Sequence, residues 1–96
     1  MFADERCNLI ARLSGKGGGK DLLLTGHLDT VPPYNMKNPY KLKEQNGRLY
    51  GLGTVDMKAS IACMMIAMSE LHNSGTELFG DVIFAGVIDE ENKSAG

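Results

Sequence analysis

The chain is poor in the features that mark several classes of protein. It has no tryptophan, and its two cysteines, Cys7 and Cys63, are far apart and form no Cys-x-x-Cys pair. This cysteine usage is more typical of a reducing compartment than of a disulfide framework. No apolar run is long enough to span a bilayer, and the first residues lack the apolar core of a signal peptide. We therefore expect a cytoplasmic protein that has no membrane partner.

The charge and hydrophobic content exclude further classes of protein. The 96 residues carry a formal net charge of −2, and 23% of them are charged and 43% hydrophobic. These values are typical of an ordinary folded chain, and without a basic excess we expect no nucleic-acid partner. At this length the chain can form one small domain at most.

Two strands are predicted early in the chain, at residues 8–13 and 21–25, from their β-branched and long aliphatic side chains. Between them, residues 14–20 read Ser-Gly-Lys-Gly-Gly-Gly-Lys, which predicts a flexible hairpin tip. This segment superficially resembles a phosphate-binding loop, but it lacks the Gly-Lys-Ser/Thr ending that opens a helix. A phosphate or nucleotide binder is therefore the weakest of our hypotheses, and nucleotide titration would test it.

The remaining elements predict a layered α/β fold. Residues 40–44 and 48–50 flank an Asn-Gly pair, which is typical of a tight hairpin. In residues 57–73 apolar side chains recur three and four positions apart, which predicts an amphipathic helix. Residues 81–88 are almost continuously apolar, as in a strand buried on both faces. We expect part of a layered sheet, mixed or mostly parallel, with the helix as a right-handed crossover.

The predicted helix should present one apolar side to the sheet. Methionines at helical spacing are more often core filler than a binding face. We expect Glu70 and His72 to lie in solvent, so His72 is not expected to bind metal. The residues expected to face inward are Ile61, Met65, Met68 and Leu71.

Histidine and acidic residues cluster at the ends of the predicted elements. His27 and Asp29 follow a strand, Asp56 stands near the helix start, and the acidic run 89–91 follows the last strand. Taken singly, each has an ordinary explanation as a buried histidine, a helix N-cap or a solvated strand end. Taken together, nitrogen and oxygen donors at the ends of several strands are what a divalent metal requires, and zinc is the leading candidate.

Asp29 is expected to orient the histidine rather than to bind metal. Alternation along an extended His27-x-Asp29 segment would point both side chains to one side. The Asp29 carboxylate could then accept the second ring N–H of His27 and fix the tautomer that binds the metal.

Three motifs resemble those of the zinc aminoacylase and carboxypeptidase family. They read Gly-His-Leu-Asp-Thr-Val-Pro, Leu-Tyr-Gly-Leu-Gly-Thr-Val-Asp-Met-Lys and Asp-Glu-Glu, and they occur in the family's order with similar spacing. The family includes acetylornithine deacetylase, succinyl-diaminopimelate desuccinylase and the glutamate carboxypeptidases. The resemblance therefore implies a metal-dependent hydrolase that cleaves amide bonds of N-acyl amino acids or peptides.

The resemblance also implies a role for each site residue. His27 would bind one zinc, Asp56 would bridge both, and Glu91 would bind the second. Glu90 would be the general base that takes a proton from the attacking water and delivers it to the leaving amine. Two metals about 3.5 to 4 Å apart would lower the pKa of that water and polarise the scissile carbonyl. Zinc is the expected cofactor, and cobalt or manganese could substitute for it.

The resemblance further implies that residues 1–96 are the N-terminal part of a catalytic, metal-binding domain. Relatives carry another acidic ligand and a late histidine farther along the chain, and an inserted lid domain that usually mediates homodimerisation. We therefore expect these 96 residues alone to lack amidase activity. The alternative is a noncatalytic interaction or scaffold protein that keeps the fold without a working site, and the neighbouring genomic sequence would separate the two.

Overall fold

The computed structural model of the protein describes residues 6–92. Within this range an irregular turn, Thr54–Lys58, leads into the single long helix. The elements run in the order β1 (Leu9–Leu13), β2 (Leu22–His27), β3 (Lys43–Gln45), β4 (Arg48–Tyr50), α1 (Ala59–Asn73) and β5 (Val82–Val87).

The main sheet has three strands in the order β1-β5-β2. The central strand β5 runs parallel to β2 and antiparallel to β1, so the expected mixed α/β sheet is confirmed. Helix α1 lies between β2 and β5 in the chain and is the crossover that joins these parallel neighbours. Because His27 pairs with Val87 at the end of the ladder, both strands finish at the same edge of the sheet.

The predicted hairpin between the first two strands is wrong, because β5 lies between β1 and β2. A continuously apolar strand buries more surface in the centre of a sheet than at its edge. Residues 14–20 instead run beside the segment before β5, where Lys16 donates its N–H to the Leu78 carbonyl and Gly17 donates to the Phe79 carbonyl. They continue directly into β2 and open no helix, in agreement with the argument against a phosphate-binding loop.

The second predicted hairpin is confirmed. Strands β3 and β4 pair with Gln45 opposite Arg48, which leaves a two-residue loop. Asn46 and Gly47 have φ values of 53° and 70°. Positive φ at both central residues is what a type I′ turn requires, and Asn-Gly adopts it readily.

The core is small and lies between α1 and one face of the main sheet. It is formed by Ile61, Met68, Val82 and Phe84, and Phe84 is only 1% exposed. Strand β5 is buried or half-buried along its whole length, as its apolar sequence predicts. No helix within residues 6–92 is long and apolar enough to cross a membrane.

The inward face of α1 differs from the prediction at one position. Ile61 and Met68 are buried and Leu71 packs against the core, whereas Glu70 and His72 are exposed, as expected. Met65, however, is 52% exposed, and Met64 packs against the core in its place. The apolar stripe therefore follows positions 61, 64, 68 and 71, which is an equally good helical spacing.

Candidate metal centre

The polar clusters meet at the edge where β2 and β5 end. His27 is the last residue of β2, the acidic run follows β5, and Asp56 belongs to the turn that precedes α1. One ligand atom each from His27, Asp56 and Glu91 lie within 4.8 Å of one another. The predicted convergence of these three side chains is therefore confirmed.

His27 is a buried residue, 7% exposed, whose two ring nitrogens both face oxygen atoms. Nε2 lies 2.9 Å from Oδ1 of Asp56, and Nδ1 lies 3.1 Å from the main-chain carbonyl oxygen of Asp29. Burial opposes a charge on the ring, but the hydrogen bonds to Asp56 and Asp29 and the charges of Asp56 and Glu90 outweigh it. Together they raise the pKa of His27 above its usual value. A ring whose Nδ1–H donates to a carbonyl leaves Nε2 for a metal.

Asp29 contacts His27 through a different atom from the one expected. The main-chain carbonyl makes the hydrogen bond, whereas the nearest carboxylate oxygen is 3.5 Å from Nδ1. The carboxylate instead accepts the main-chain N–H groups of Glu90 at 3.2 Å and of Glu91 at 2.9 Å. Burial by itself would raise the pKa of Asp29, but these N–H donors, its own N–H and the nearby His27 hold it below the usual range.

Three further carboxylates crowd around the histidine. Oε2 of Glu90 lies 3.9 Å from Nε2 of His27, and the Asp56 side chain is 70% exposed on the open side of the cluster. Partial burial, the charge of Asp56, a hydrogen bond with Asp56 and the charge of Glu90 raise the pKa of Glu91, while His27 opposes them. Crowded carboxylates that resist ionisation are stabilised by a bound cation.

The turn before α1 explains why the predicted helix starts two residues too early. Asp56 (φ −123°, ψ 96°) and Met57 (φ −133°, ψ 33°) have non-helical backbone angles, and the peptide bond between them is cis. The regular helix begins at Ala59, and Asp56 makes no capping hydrogen bond to it. The N-cap explanation for Asp56 is therefore wrong, and its carboxylate is directed at His27.

Two residues that sequence reasoning missed connect this turn to the end of β2. Sδ of Met57 accepts the main-chain N–H of His27 at 3.3 Å, and Nζ of Lys58 donates to the Leu28 carbonyl at 2.8 Å. A Cβ atom on Gly26 would lie 2.6 Å from the terminal methyl of Met57, so a side chain here would displace the end of the Met57 side chain. Met57 and Lys58 follow Asp56 in the second motif, but nothing in the sequence indicates contacts with residues 27 and 28.

Comparison with known proteins places this site in a family. The sequence model of Peptidase family M20/M25/M40 matches residues 23–96, which include every residue of the cluster. The chain belongs to the M20/M25/M40 family. This family is metal-dependent, and the joint presence of an imidazole and carboxylates in the cluster agrees with that dependence.

Proteins with similar sequences include two desuccinylases. The chain is 37% identical over 101 residues to succinyl-diaminopimelate desuccinylase of Rickettsia prowazekii, an alignment that covers 98% of the chain and 26% of that protein. It is 39% identical over 79 residues to the same-named protein of Rickettsia bellii, covering 77% of the chain and 20% of the relative. The chain thus spans about a quarter of the length of the first of these relatives.

A solved structure shares the fold of the described residues. The crystal structure of human carnosine dipeptidase 1 superposes with a TM-score of 0.76 at 28% sequence identity. The superposition covers 92% of this chain and 20% of the dipeptidase. The arrangement of the described strands and helix is therefore that of a segment of an M20/M25/M40 protein.

Proposed function

We propose that the chain is part of a two-zinc metallohydrolase that cleaves the amide bond of N-acyl amino acids or peptides with a metal-activated water. The observation that carries the proposal is the cluster of His27, Asp56 and Glu91 within 4.8 Å. The names of the relatives, a desuccinylase and a dipeptidase, support an amide substrate. The proposed substrate class is accordingly a small N-acyl amino acid or dipeptide.

The donor types fit zinc, which binds imidazole nitrogen and carboxylate oxygen in proteins. His27 and Asp56 would hold one ion, and Asp56 and Glu91 would hold the second. Cobalt and manganese accept the same donors and are proposed as substitutes. When bound, the ions lower the pKa of a shared water and polarise the scissile carbonyl.

Glu90 is proposed as the general base. Its carboxylate lies beside the ligand cluster, 3.9 Å from the His27 ring, and its side chain is 54% exposed, so it can reach an attacking water. A carboxylate oxygen of Glu90 would accept a proton from that water and then donate it to the nitrogen of the leaving amine. Asp29 would hold the His27 ring through its main-chain carbonyl, which keeps Nε2 directed at the cluster.

The test compares the 96-residue chain with a longer polypeptide that spans the full length of its desuccinylase relatives. Zinc content and hydrolysis of N-succinyl and N-acetyl amino acids and of dipeptides would be measured for both. We expect two zinc ions and turnover from the longer polypeptide. The 96-residue chain should bind zinc weakly and show no turnover, because its cluster supplies two ligands per ion and a catalytic zinc needs about three.

Two outcomes would contradict the proposal. Robust turnover by the 96-residue chain would show that its mechanism does not need the further ligands. A longer polypeptide that folds but binds no zinc, cobalt or manganese would favour the alternative, a noncatalytic scaffold that retains the family fold.

A further inference from the structure

The Asp29 carboxylate accepts hydrogen bonds from the main chain of the turn that carries Glu90 and Glu91, and Arg6 pairs with the Asp89 side chain at its start. The turn starts at Asp89, whose φ of 57° lies in the left-handed region, and closes where the N–H of Asn92 donates to the Asp89 carbonyl at 3.1 Å. Between these two points, the N–H groups of Glu90 and Glu91 both point at the carboxylate of Asp29. The Asp29 side chain thus fills the inside of the acidic turn.

The two hydrogen bonds use separate oxygens of the carboxylate. Glu90 donates to Oδ1 at 3.2 Å, and Glu91 donates to Oδ2 at 2.9 Å. A pair of bonds to one planar group fixes the direction of the turn as well as its distance from β2. The Asp29 side chain is 22% exposed, so water competes weakly for its oxygens.

Electrostatic repulsion opposes the arrangement of the acidic side chains. Asp56, Glu90 and Glu91 bring three carboxylates close together around His27, and like charges at this range repel one another. Unless it is held, a polar turn at the end of a strand would carry Glu90 and Glu91 outward into solvent. The Asp29 carboxylate holds the turn by its main-chain N–H groups, so it does not crowd the side-chain oxygens of Glu90 and Glu91.

We propose that Asp29 is a positioning residue for the acidic turn, and that its carboxylate determines where the Glu90 and Glu91 side chains stand relative to His27. The meaning of those positions, a base and a metal ligand, rests on the proposed function, whereas the attachment itself rests on the two hydrogen bonds. The His27 ring hydrogen-bonds the main-chain carbonyl of Asp29, although the carboxylate lies 3.5 Å from Nδ1 as well. A side-chain substitution keeps the carbonyl contact, and the Glu90 and Glu91 amides report on the attachment itself.

The first experiment uses Asp29→Asn in the metal-free 96-residue chain, observed by amide NMR. Asp21→Asn is the matched control, because Asp21 Oδ1 accepts the N–H of Asp81 at 2.7 Å in the same kind of bond away from the cluster. Asp29→Asn should move the amide proton resonances of Glu90 and Glu91 upfield and speed their exchange with solvent. Asp21→Asn should change the Asp81 amide instead.

Zinc titration of the same proteins gives the second readout. Asp29→Asn should weaken zinc binding by about 10- to 100-fold, the range seen when an outer partner of a metal site is lost. Asp21→Asn should leave the affinity unchanged. A loss of the same size in both variants would mean that Asp29 has no special role and would overturn the proposal.

A third measurement needs no variant, so it decides the matter even if Asp29→Asn fails to fold. Through-hydrogen-bond couplings would be recorded between the amide nitrogens of Glu90 and Glu91 and the carboxyl carbon of Asp29, with the Asp81 to Asp21 coupling as reference. A reference coupling without either Asp29 coupling would refute the attachment. Asp29 couplings, together with a longer polypeptide that folds but binds no metal, would uphold the attachment and count against the proposed function alone. If the Glu90 and Glu91 amide resonances are unchanged in an Asp29→Asn chain that still binds zinc, the attachment is refuted and the proposed function is unaffected.

Discussion

Nε2 of His27 lies 2.9 Å from Oδ1 of Asp56, although the two residues are 29 positions apart in the chain. The contact exists because the turn before α1 folds back over the end of β2, where the Met57 sulfur receives the His27 N–H. A histidine and a carboxylate from distant parts of the chain are thereby joined. The geometry of the proposed zinc site therefore depends on the conformation of the turn Thr54–Lys58 that precedes α1.

Replacing His27 with alanine should weaken zinc binding by more than about 100-fold. Loss of a residue that only supports a ligand weakens binding by about 10- to 100-fold. The expected loss for His27 is larger because Nε2 is the one nitrogen donor in the cluster. His72→Ala is the matched control, because the His72 side chain is exposed on α1. Zinc titration of both variants checks the prediction, and equal weakening by the two would contradict it.

Glu90→Gln should separate metal binding from turnover. In the longer polypeptide we expect unchanged zinc content and a fall in kcat of about 10²- to 10⁴-fold, the usual contribution of a general base. Glutamine keeps the size of the side chain but cannot accept the proton. Glu70→Gln on the exposed side of α1 serves as the control. Undiminished turnover in Glu90→Gln would remove Glu90 from the mechanism.

Gly26→Ala should destabilise the fold by about 1 kcal/mol, the lower end of the cost of overpacking, because the atoms it meets are movable side-chain ends. The new methyl group would lie 2.6 Å from the terminal methyl of Met57 and 2.8 Å from Cδ1 of Ile61. Gly51→Ala is a suitable control, because the nearest atom to its new methyl would be 3.4 Å away. Denaturant unfolding of both variants measures the difference, and similar stabilities would show that the space beside Gly26 can adjust.

Asp81 should make stability depend on pH. Its carboxylate accepts the Gly15 N–H at 2.7 Å and pairs with Arg12. The hydrogen bond from Gly15, together with Arg12, holds the pKa of Asp81 below its usual value despite the opposing effect of burial. A lowered pKa in the folded state stabilises the protein above the unfolded-state pKa of about 3.9. This contribution is lost as the pH falls through the folded-state pKa.

Comparison with Asp81→Asn checks this dependence. The variant should melt at a lower temperature than the wild type near neutral pH, and the difference should shrink below about pH 4. A difference in Tm that stays constant down to about pH 2 would show that the Asp81 charge has no part in it.

Local patterns in the sequence were sufficient to predict the types of most elements and the place where the polar residues cluster. β-Branched and long aliphatic residues predicted β1 and β2, and a continuous apolar run predicted β5. Asn46-Gly47 predicted the small hairpin, because turn and strand preferences depend on neighbouring residues. The polar residues that follow these strands indicated the cluster, since parallel strands end at a common edge. The roles assigned to His27, Asp56, Glu90 and Glu91 stay predictions.

Only the tertiary structure decided how segments far apart in the chain contact one another. Strands β1 and β2 would suit a hairpin as well as two positions beside β5, and only the burial of β5 between them selects the second arrangement. Met64 and Met65 both fit the helical spacing of an inward face of α1, and only packing against the sheet selects Met64. The Asp29 carboxylate could have reached the His27 ring, but the acidic turn offers two N–H donors that no local pattern reveals. Sequence periodicity determines what one segment prefers, whereas pairing and packing between distant segments determine which of several equal preferences is realised.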